Sequence, residues 1–184
     1  MEHRRSAVLR RTMQLNFSVE SYDDGAKAWL KRSGHYLDNP PPGCIFCVVV
    51  RRGVPDLFGQ PIGGSERLGM CLVGRPIARM LPQDGSVGEV TRMVLVDGLP
   101  HGTASAVLRF AGDAARRRGM AALISYHDRT RHTGCIYRKA GFRKDGKTTP
   151  PKGAGWGSRA RRDTEAQAAP KQRWRLDLKS NARR

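Results

Sequence analysis

The chain has 184 residues, of which 34 are Lys or Arg and 16 are Asp or Glu, so its formal net charge at pH 7 is +18. The length suits one domain with a modest core plus tails. The charge argues against an ordinary enzyme of small molecules and favours a polyanionic partner, nucleic acid above all, because a basic surface displaces counterions from phosphates. A role in solubility, or a ribosome-like binding protein, stays open.

The four cysteines are expected to be core thiols of a reduced, cytoplasmic protein. Cys44 and Cys47 have the C-x-x-C spacing of zinc and redox sites, but they stand in an apolar run that predicts a buried strand. Residues three apart on a strand face opposite sides, so the two sulfurs should diverge. Cys71 and Cys135 have no second cysteine beside them to complete a zinc site. We therefore expect no metal and, without a leader or a long apolar segment, no membrane span.

Apolar periodicity predicts the elements of the first half of the chain. In order, these are a strand at 14–20, a helix that Asp23 or Asp24 caps and Gly34 ends, and two paired strands at 44–51 and 67–74. The segment 53–65 is too long for a tight hairpin and is expected to be a loop. Gly74 and Pro76 predict a bulge or bend after the second of these strands.

The second half predicts alternating strands and helices. A strand at 89–96 precedes a helix with one apolar stripe from Ala104 to Ala115, and a strand at 120–126 precedes a short helix ending at Gly141. A last strand at 171–178 is expected at the edge of the sheet. The pattern predicts an α/β (α+β) domain with a mixed, mostly antiparallel central sheet flanked by helices.

The termini and one internal segment differ in composition from this domain. Residues 1–12 predict a flexible basic arm, residues 13–178 the domain, and residues 179–184 a tail. Within the domain, residues 143–170 predict a basic loop rich in Gly and Pro, with Trp156 in its middle. An aromatic side chain beside Arg159 and Arg161 suits stacking on a base or wedging into a duplex.

The stretch Tyr137-Arg-Lys-Ala-Gly-Phe142 is the most informative motif. It resembles the last conserved helix of the GNAT superfamily of N-acetyltransferases. With His132 and Gly134 it resembles the Mom-like phage DNA base modification proteins, which share that fold. Three further segments fit the same resemblance: His35-Tyr36, the strand ending at Gly74-Arg-Pro76, and Glu89-Val-Thr-Arg92.

The resemblance implies catalytic roles for five residues, namely His35, Tyr36, Ser125, Asp128 and Tyr137. His35 and Asp128 would activate the acceptor, and Tyr137 would protonate the leaving thiolate. Each residue also has a purely structural interpretation: a turn histidine, packed tyrosines, and a carboxylate that caps a turn. Arg92 and His132 would bind the substrate together with Trp156, Arg159 and Arg161, although Arg92 could instead form a structural salt bridge.

A donor of the acetyl-CoA type would lie along Val94, Leu95 and Val96 and on Gly102, Thr103 and Ser105. Helix N-terminal amides can cradle its pyrophosphate. The Arg/Gln-x-x-Gly-x-Gly/Ala loop of CoA-binding relatives is replaced here by residues 98–105, Gly-Leu-Pro-His-Gly-Thr-Ala-Ser. The sequence thus departs from the family pattern where the donor should bind.

These features together predict a phage-type transferase that modifies DNA bases in the cytoplasm of a bacterial host and protects the DNA from restriction. The resemblance implies the exocyclic amine of adenine as acceptor, in a carbamoylmethylation-like reaction, or an amine on a hypermodified base. Two alternatives stay open: an acetyl-CoA-dependent N-acetyltransferase of a small amine or protein, and a non-catalytic nucleic-acid-binding protein. Whether the chain is a homodimer is also open.

Overall fold

The computed structural model describes residues 13–34, 43–55, 61–148 and 169–178. Its strands are β1 (Leu15–Glu20), β2 (Cys44–Pro55), β3 (Pro61–Gly74), β4 (Val87–Leu95), β5 (Ala122–Asp128), β6 (Arg143–Thr148) and β7 (Lys171–Asp177). Its helices are α1 (Asp24–Arg32), α2 (Thr103–Arg117) and α3 (Cys135–Lys139). Asp23 is the cap predicted for α1, and its Oδ1 accepts a hydrogen bond from the Ala26 amide at 2.7 Å.

The seven strands form one sheet in the order β1-β2-β3-β4-β5-β7-β6. β4 and β5 pair in parallel, and the other neighbouring strands pair antiparallel. The chain passes between the two parallel strands through α2, as a parallel connection requires. This mixed sheet with flanking helices confirms the predicted α+β fold class.

The two faces of the sheet carry different helices. α2 lays its apolar stripe on one face, where Val107, Leu108 and Ala111 are fully buried beside Val48 and Leu123. Burying each of the larger side chains stabilises the fold by about 1.5–3 kcal/mol. α1 covers part of the other face through Ala26 and Leu30, which pack on a second cluster from β2, β3 and β4. The end of the sheet where β4 meets β5 therefore lies between two independently packed layers.

Three predictions about the strands were wrong. The expected loop 53–65 is largely hairpin, because β2 and β3 continue pairing to Pro55 and Pro61. β1 pairs with β2 only as far as Arg52, so these prolines stand where β2 needs no second neighbour. β6 was missed, and it begins the segment 143–170 that was expected to be a loop. β7 lies between β5 and β6 rather than at the edge.

The prediction that the Cys44 and Cys47 sulfurs diverge was also wrong. A register shift between Cys44 and Phe46 turns Cys44 to the side of Cys47, and both pack on the cluster beneath α1. The Cys47 thiol donates towards the carbonyls of Glu20 and Ser21 at 3.3 and 3.4 Å, and burial raises its pKa to about 12. These cysteines behave as core thiols, as predicted.

Among the described helices, none is long and apolar enough to cross a membrane.

Candidate active site

The two parallel strands separate halfway along their length. β4 and β5 pair from Val87 with Ala122 to Val90 with Ser125. Beyond these residues the described part of β4 pairs only with β3, and β5 pairs only with β7. The result is a V-shaped opening in the sheet, here called the splay, whose closed end lies at Val90 and Ser125. One backbone edge of β4 faces into it, available to a ligand that can form strand-like hydrogen bonds.

A bulge in β4 marks the same place. Leu72 pairs with Arg92 and Val73 with Val90, so Thr91 is the extra residue on β4. Bulges bend a strand and increase its local twist. The bulge therefore turns β4 away from β5 directly after their last shared pair.

Tyr137 reaches the closed end of the splay from α3. Its hydroxyl lies 3.1 Å from Ser125 Oγ, which in turn lies 3.5 Å from the Val90 carbonyl oxygen. Ser125 and Tyr137 are both buried, with 1% and 7% of their surface exposed. The structure thus brings together two of the predicted catalytic residues and places a phenol where the strands part.

Asp128 has a different environment from the one expected of a base. Its Oδ1 accepts hydrogen bonds from the Thr130 amide and hydroxyl at 2.8 and 2.6 Å, and Arg131 lies 3.5 Å from its Oδ2. The Thr130 hydrogen bonds hold the pKa of Asp128 below its usual value. Asp128 caps the turn after β5, the structural alternative given above. His132 is exposed in that turn, with its amide donating to the Asp128 carbonyl at 3.1 Å.

Glu89 is a buried carboxylate beside the splay that sequence reasoning did not select as a site residue. It lies one residue before Val90 and is 4% exposed, and its Oε2 accepts a hydrogen bond from the Ile77 amide at 2.9 Å. Burial raises its pKa, while the Ile77 hydrogen bond and the charges of Lys171 and Arg92 oppose the shift. A carboxylate tuned in this way can accept a proton near neutral pH.

Glu89 and Tyr137 approach the splay from opposite faces of the sheet. Strand alternation places Glu89 with Val87 on the face of the small cluster that includes Ile124. Val90 and Tyr137 belong to the core beneath α2. A substrate lying between the strands would therefore meet a carboxylate on one side and a phenol on the other.

Arg92, a predicted substrate ligand, is half-buried on β4 just past the bulge. Its Nη1 donates to the Thr91 carbonyl at 2.8 Å, and its charge lowers the pKa of nearby Glu89. The guanidinium lies on the α1 face, beside Tyr22, whose pKa it also lowers. This is the face from which Glu89 reaches the splay.

The predicted donor-binding residues line the open end of the splay. Val94 is buried and Leu95 half-buried on β4, and Val96 follows the strand with 41% of its surface exposed. Gly102 precedes α2 with a φ of 90°, which the left-handed turn into the helix requires. Thr103 Oγ1 donates to the Pro100 carbonyl at 2.7 Å.

Ser105 is the donor-binding candidate with an unsatisfied group. It is 3% exposed in the first turn of α2, and its Oγ has no hydrogen-bond partner among the described residues. A buried hydroxyl normally finds a partner, and a bound ligand is one way to supply it. The amides of this turn and this hydroxyl fit a phosphate-bearing donor.

Five of the predicted site residues lie outside the described residues: His35, Tyr36, Trp156, Arg159 and Arg161. Among the residues that the structure does describe, no group of three or more His, Cys, Asp or Glu could hold a metal ion.

Comparisons with known proteins bear on the fold. No protein-family model matches the sequence, and no curated protein matches it at a significant level. Solved structures do. An acetyltransferase of Bacillus subtilis in complex with CoA aligns over 90% of this chain and 99% of its own, with a TM-score of 0.56 and 14% identity.

Two further structures agree with it. The ribosomal-protein-S18-alanine N-acetyltransferase of Escherichia coli aligns over 91% of this chain and 97% of its own, with a TM-score of 0.57 and 10% identity. An N-acetyltransferase of Staphylococcus aureus aligns over 90% and 99%, with a TM-score of 0.57 and 15% identity. At such identities the likeness extends to the fold alone. The chain has the GNAT fold of N-acetyltransferases.

Proposed function

We propose that the protein is an acyl-CoA-dependent N-acyltransferase whose donor lies in the splay between β4 and β5. The observation behind this proposal is the Tyr137 hydroxyl at the closed end of the splay, 3.1 Å from Ser125 Oγ. The free edge of β4 suits the amide-bearing arm of a CoA thioester, and the first turn of α2 suits its phosphates. A bound thioester would supply an activated carbonyl carbon.

The residues around the splay divide the proton transfers between them. Glu89 accepts the proton that the acceptor amine loses as its nitrogen bonds to the acyl carbon. Tyr137 donates its hydroxyl proton to the thiolate that leaves when the carbon–sulfur bond breaks. A raised carboxylate pKa makes Glu89 a better base, and general acid or base catalysis of this kind contributes about 10²–10⁴-fold to a rate.

A measurement of thiol release tests this function. The protein is mixed with acetyl-CoA and a panel of acceptors: a polyamine, a lysine peptide, and single- and double-stranded DNA. Free CoA thiol is then followed with a chromogenic disulfide. We expect acceptor-dependent release that falls about 10²–10⁴-fold in Tyr137→Phe. Tyr126→Phe, on the neighbouring strand β5, is the matched control and should retain activity. No release with any acceptor would refute the proposal.

DNA bases form a second, narrower acceptor hypothesis, supported by the net charge of +18 and by an exposed loop beside Glu89. Gln83 Nε2 lies 3.1–3.3 Å from three carbonyls of this loop, those of Pro76, Ala78 and Leu81. The loop displays Met80, 96% exposed, between the exposed Arg75 and Arg79. Apolar side chains flanked by cations are what proteins wedge between base steps before they reach a base.

Nucleoside mass spectrometry distinguishes this hypothesis from transfer to a small amine or a protein. DNA from cells that express the protein should contain a heavier deoxynucleoside, and Tyr137→Phe should lose it. The Mom-like resemblance makes the exocyclic amine of adenine the first base to inspect, followed by amines on hypermodified bases. Unmodified DNA combined with thiol release to a polyamine or a peptide would exclude DNA as the acceptor.

A further inference from the structure

A buried histidine next to Tyr137 takes no part in the proton transfers proposed above. His127, on β5, is 7% exposed, and its Nδ1 accepts a hydrogen bond from the Trp174 indole Nε1 at 2.6 Å. An accepting Nδ1 puts the proton of the neutral ring on Nε2. Burial lowers the pKa of His127, and a hydrogen bond with the His132 backbone opposes that shift. With one nitrogen bonded to Trp174 and a further bond to the main chain, His127 is poorly placed to exchange protons with a substrate.

The rings of His127 and Trp174 instead enclose Tyr137. The Tyr137 and Trp174 centroids are 5.4 Å apart with planes 12° apart, and those of Tyr137 and His127 are 5.8 Å and 19° apart. Phe142 meets the phenol edge-on, with a centroid distance of 5.8 Å. Such contacts fix both the position and the rotation of the phenol ring.

Gly134 makes this enclosure possible at the start of α3. It has a φ of 74°, and a Cβ at this position would lie 2.5 Å from Trp174 Cζ2 and 2.8 Å from His127 Cε1. Only glycine combines this backbone with so close an approach. The chain thus passes tightly over the hydrogen-bonded pair immediately before it delivers Tyr137.

We propose that the Trp174–His127 pair positions Tyr137, holding its hydroxyl beside Ser125 at the closed end of the splay. The inference rests on the proposed role of Tyr137 as proton donor. Neither member of the pair touches the reacting atoms, so both are positioning residues. Trp174 fixes the imidazole plane through the indole N–H, and the imidazole and the indole together fix the phenol. A misplacement of about 1 Å can cost roughly 10²-fold in rate.

Trp174→Phe tests the proposal because it keeps an aromatic ring and removes only the N–H donor and part of the surface. The matched control is Trp29→Phe, a half-buried tryptophan on α1 in the other cluster. With acetyl-CoA and the acceptor found above, Trp174→Phe should lower kcat about 10–100-fold and leave KM unchanged. In a Tyr137→Phe background the same change should have almost no further effect. An additive loss in the double variant, or an unchanged kcat, would overturn the proposal.

A second measurement does not depend on catalysis. Ring-flip rates from NMR of tyrosine labelled with ¹³C at the ε carbons report how tightly each phenol is held, and Tyr137→Phe assigns the Tyr137 signal. We expect slow flipping in the wild type and in Trp29→Phe, and much faster flipping in Trp174→Phe. Equal rates in all three would overturn the positioning role. Slow flipping in a protein that releases no thiol would instead leave the positioning role standing and refute only the proposed function.

Discussion

Replacing Gly134 with alanine tests the packing on which the site depends. The new Cβ would enter a left-handed backbone conformation, which costs about 1–2 kcal/mol for an L residue. It would also lie 2.5 Å from Trp174 Cζ2 and 2.8 Å from His127 Cε1, and overpacking of this kind costs about 1–3 kcal/mol. We therefore expect a total loss of roughly 2–5 kcal/mol.

Gly119→Ala separates the two costs. Gly119 has a φ of 77°, close to that of Gly134, and nothing lies within 4 Å of the Cβ position. The difference between the two variants then measures the clash alone. At about 2–4 °C per kcal/mol for a chain of this size, Gly134→Ala should melt roughly 2–12 °C below Gly119→Ala by circular dichroism. Equal melting temperatures would show that Trp174 and His127 do not pack beneath α3 as described.

Three more predictions concern protons and charge. Glu89→Gln should lower kcat about 10²–10⁴-fold and abolish the acid limb of the pH–rate profile, which in the wild type lies above 4.5 because burial raises the pKa of Glu89. An unchanged acid limb would exclude Glu89 as the base. The lowered pKa of His127 makes the unfolded chain bind more protons, so unfolding free energy should fall as pH drops below about 6.5, less steeply in His127→Phe. Finally, the logarithm of DNA affinity should fall linearly with the logarithm of salt concentration; salt-independent binding would contradict a phosphate-binding surface.

The sequence predicted the elements that carry their own periodic pattern. The cap at Asp23, the apolar stripe of α2 and the alternation in β1 are local signals, and the structure has each element within a few residues of its predicted bounds. β6 gives no such signal. Its residues, Arg-Lys-Asp-Gly-Lys-Thr, are almost all exposed, and pairing with β7 holds it in place. Ion pairs of Arg143 with Asp177 and of Arg173 with Asp145 accompany that pairing, and both join residues distant in the sequence.

The candidate site shows the same division. Tyr137 and Ser125 could be selected because each belongs to a recognisable local motif. Glu89 could not be distinguished from a surface carboxylate, because only the strand order and the Ile77 loop bury it. A carboxylate within the apolar run of β4 was the one available signal. The His127–Trp174 hydrogen bond joins residues 47 positions apart, so only the pairing of β5 with β7 could reveal it.

Calorimetric titration with CoA tests the central claim most directly, because it requires no knowledge of the acceptor. If the splay is an acyl-CoA site, CoA should bind saturably with one molecule per chain, and acetyl-CoA should compete with it. Ser105→Leu should weaken binding, because it fills the buried space beside the first turn of α2 with an apolar side chain. Absence of any binding heat or thermal stabilisation by CoA, in a protein whose circular dichroism shows a folded chain, would contradict the account.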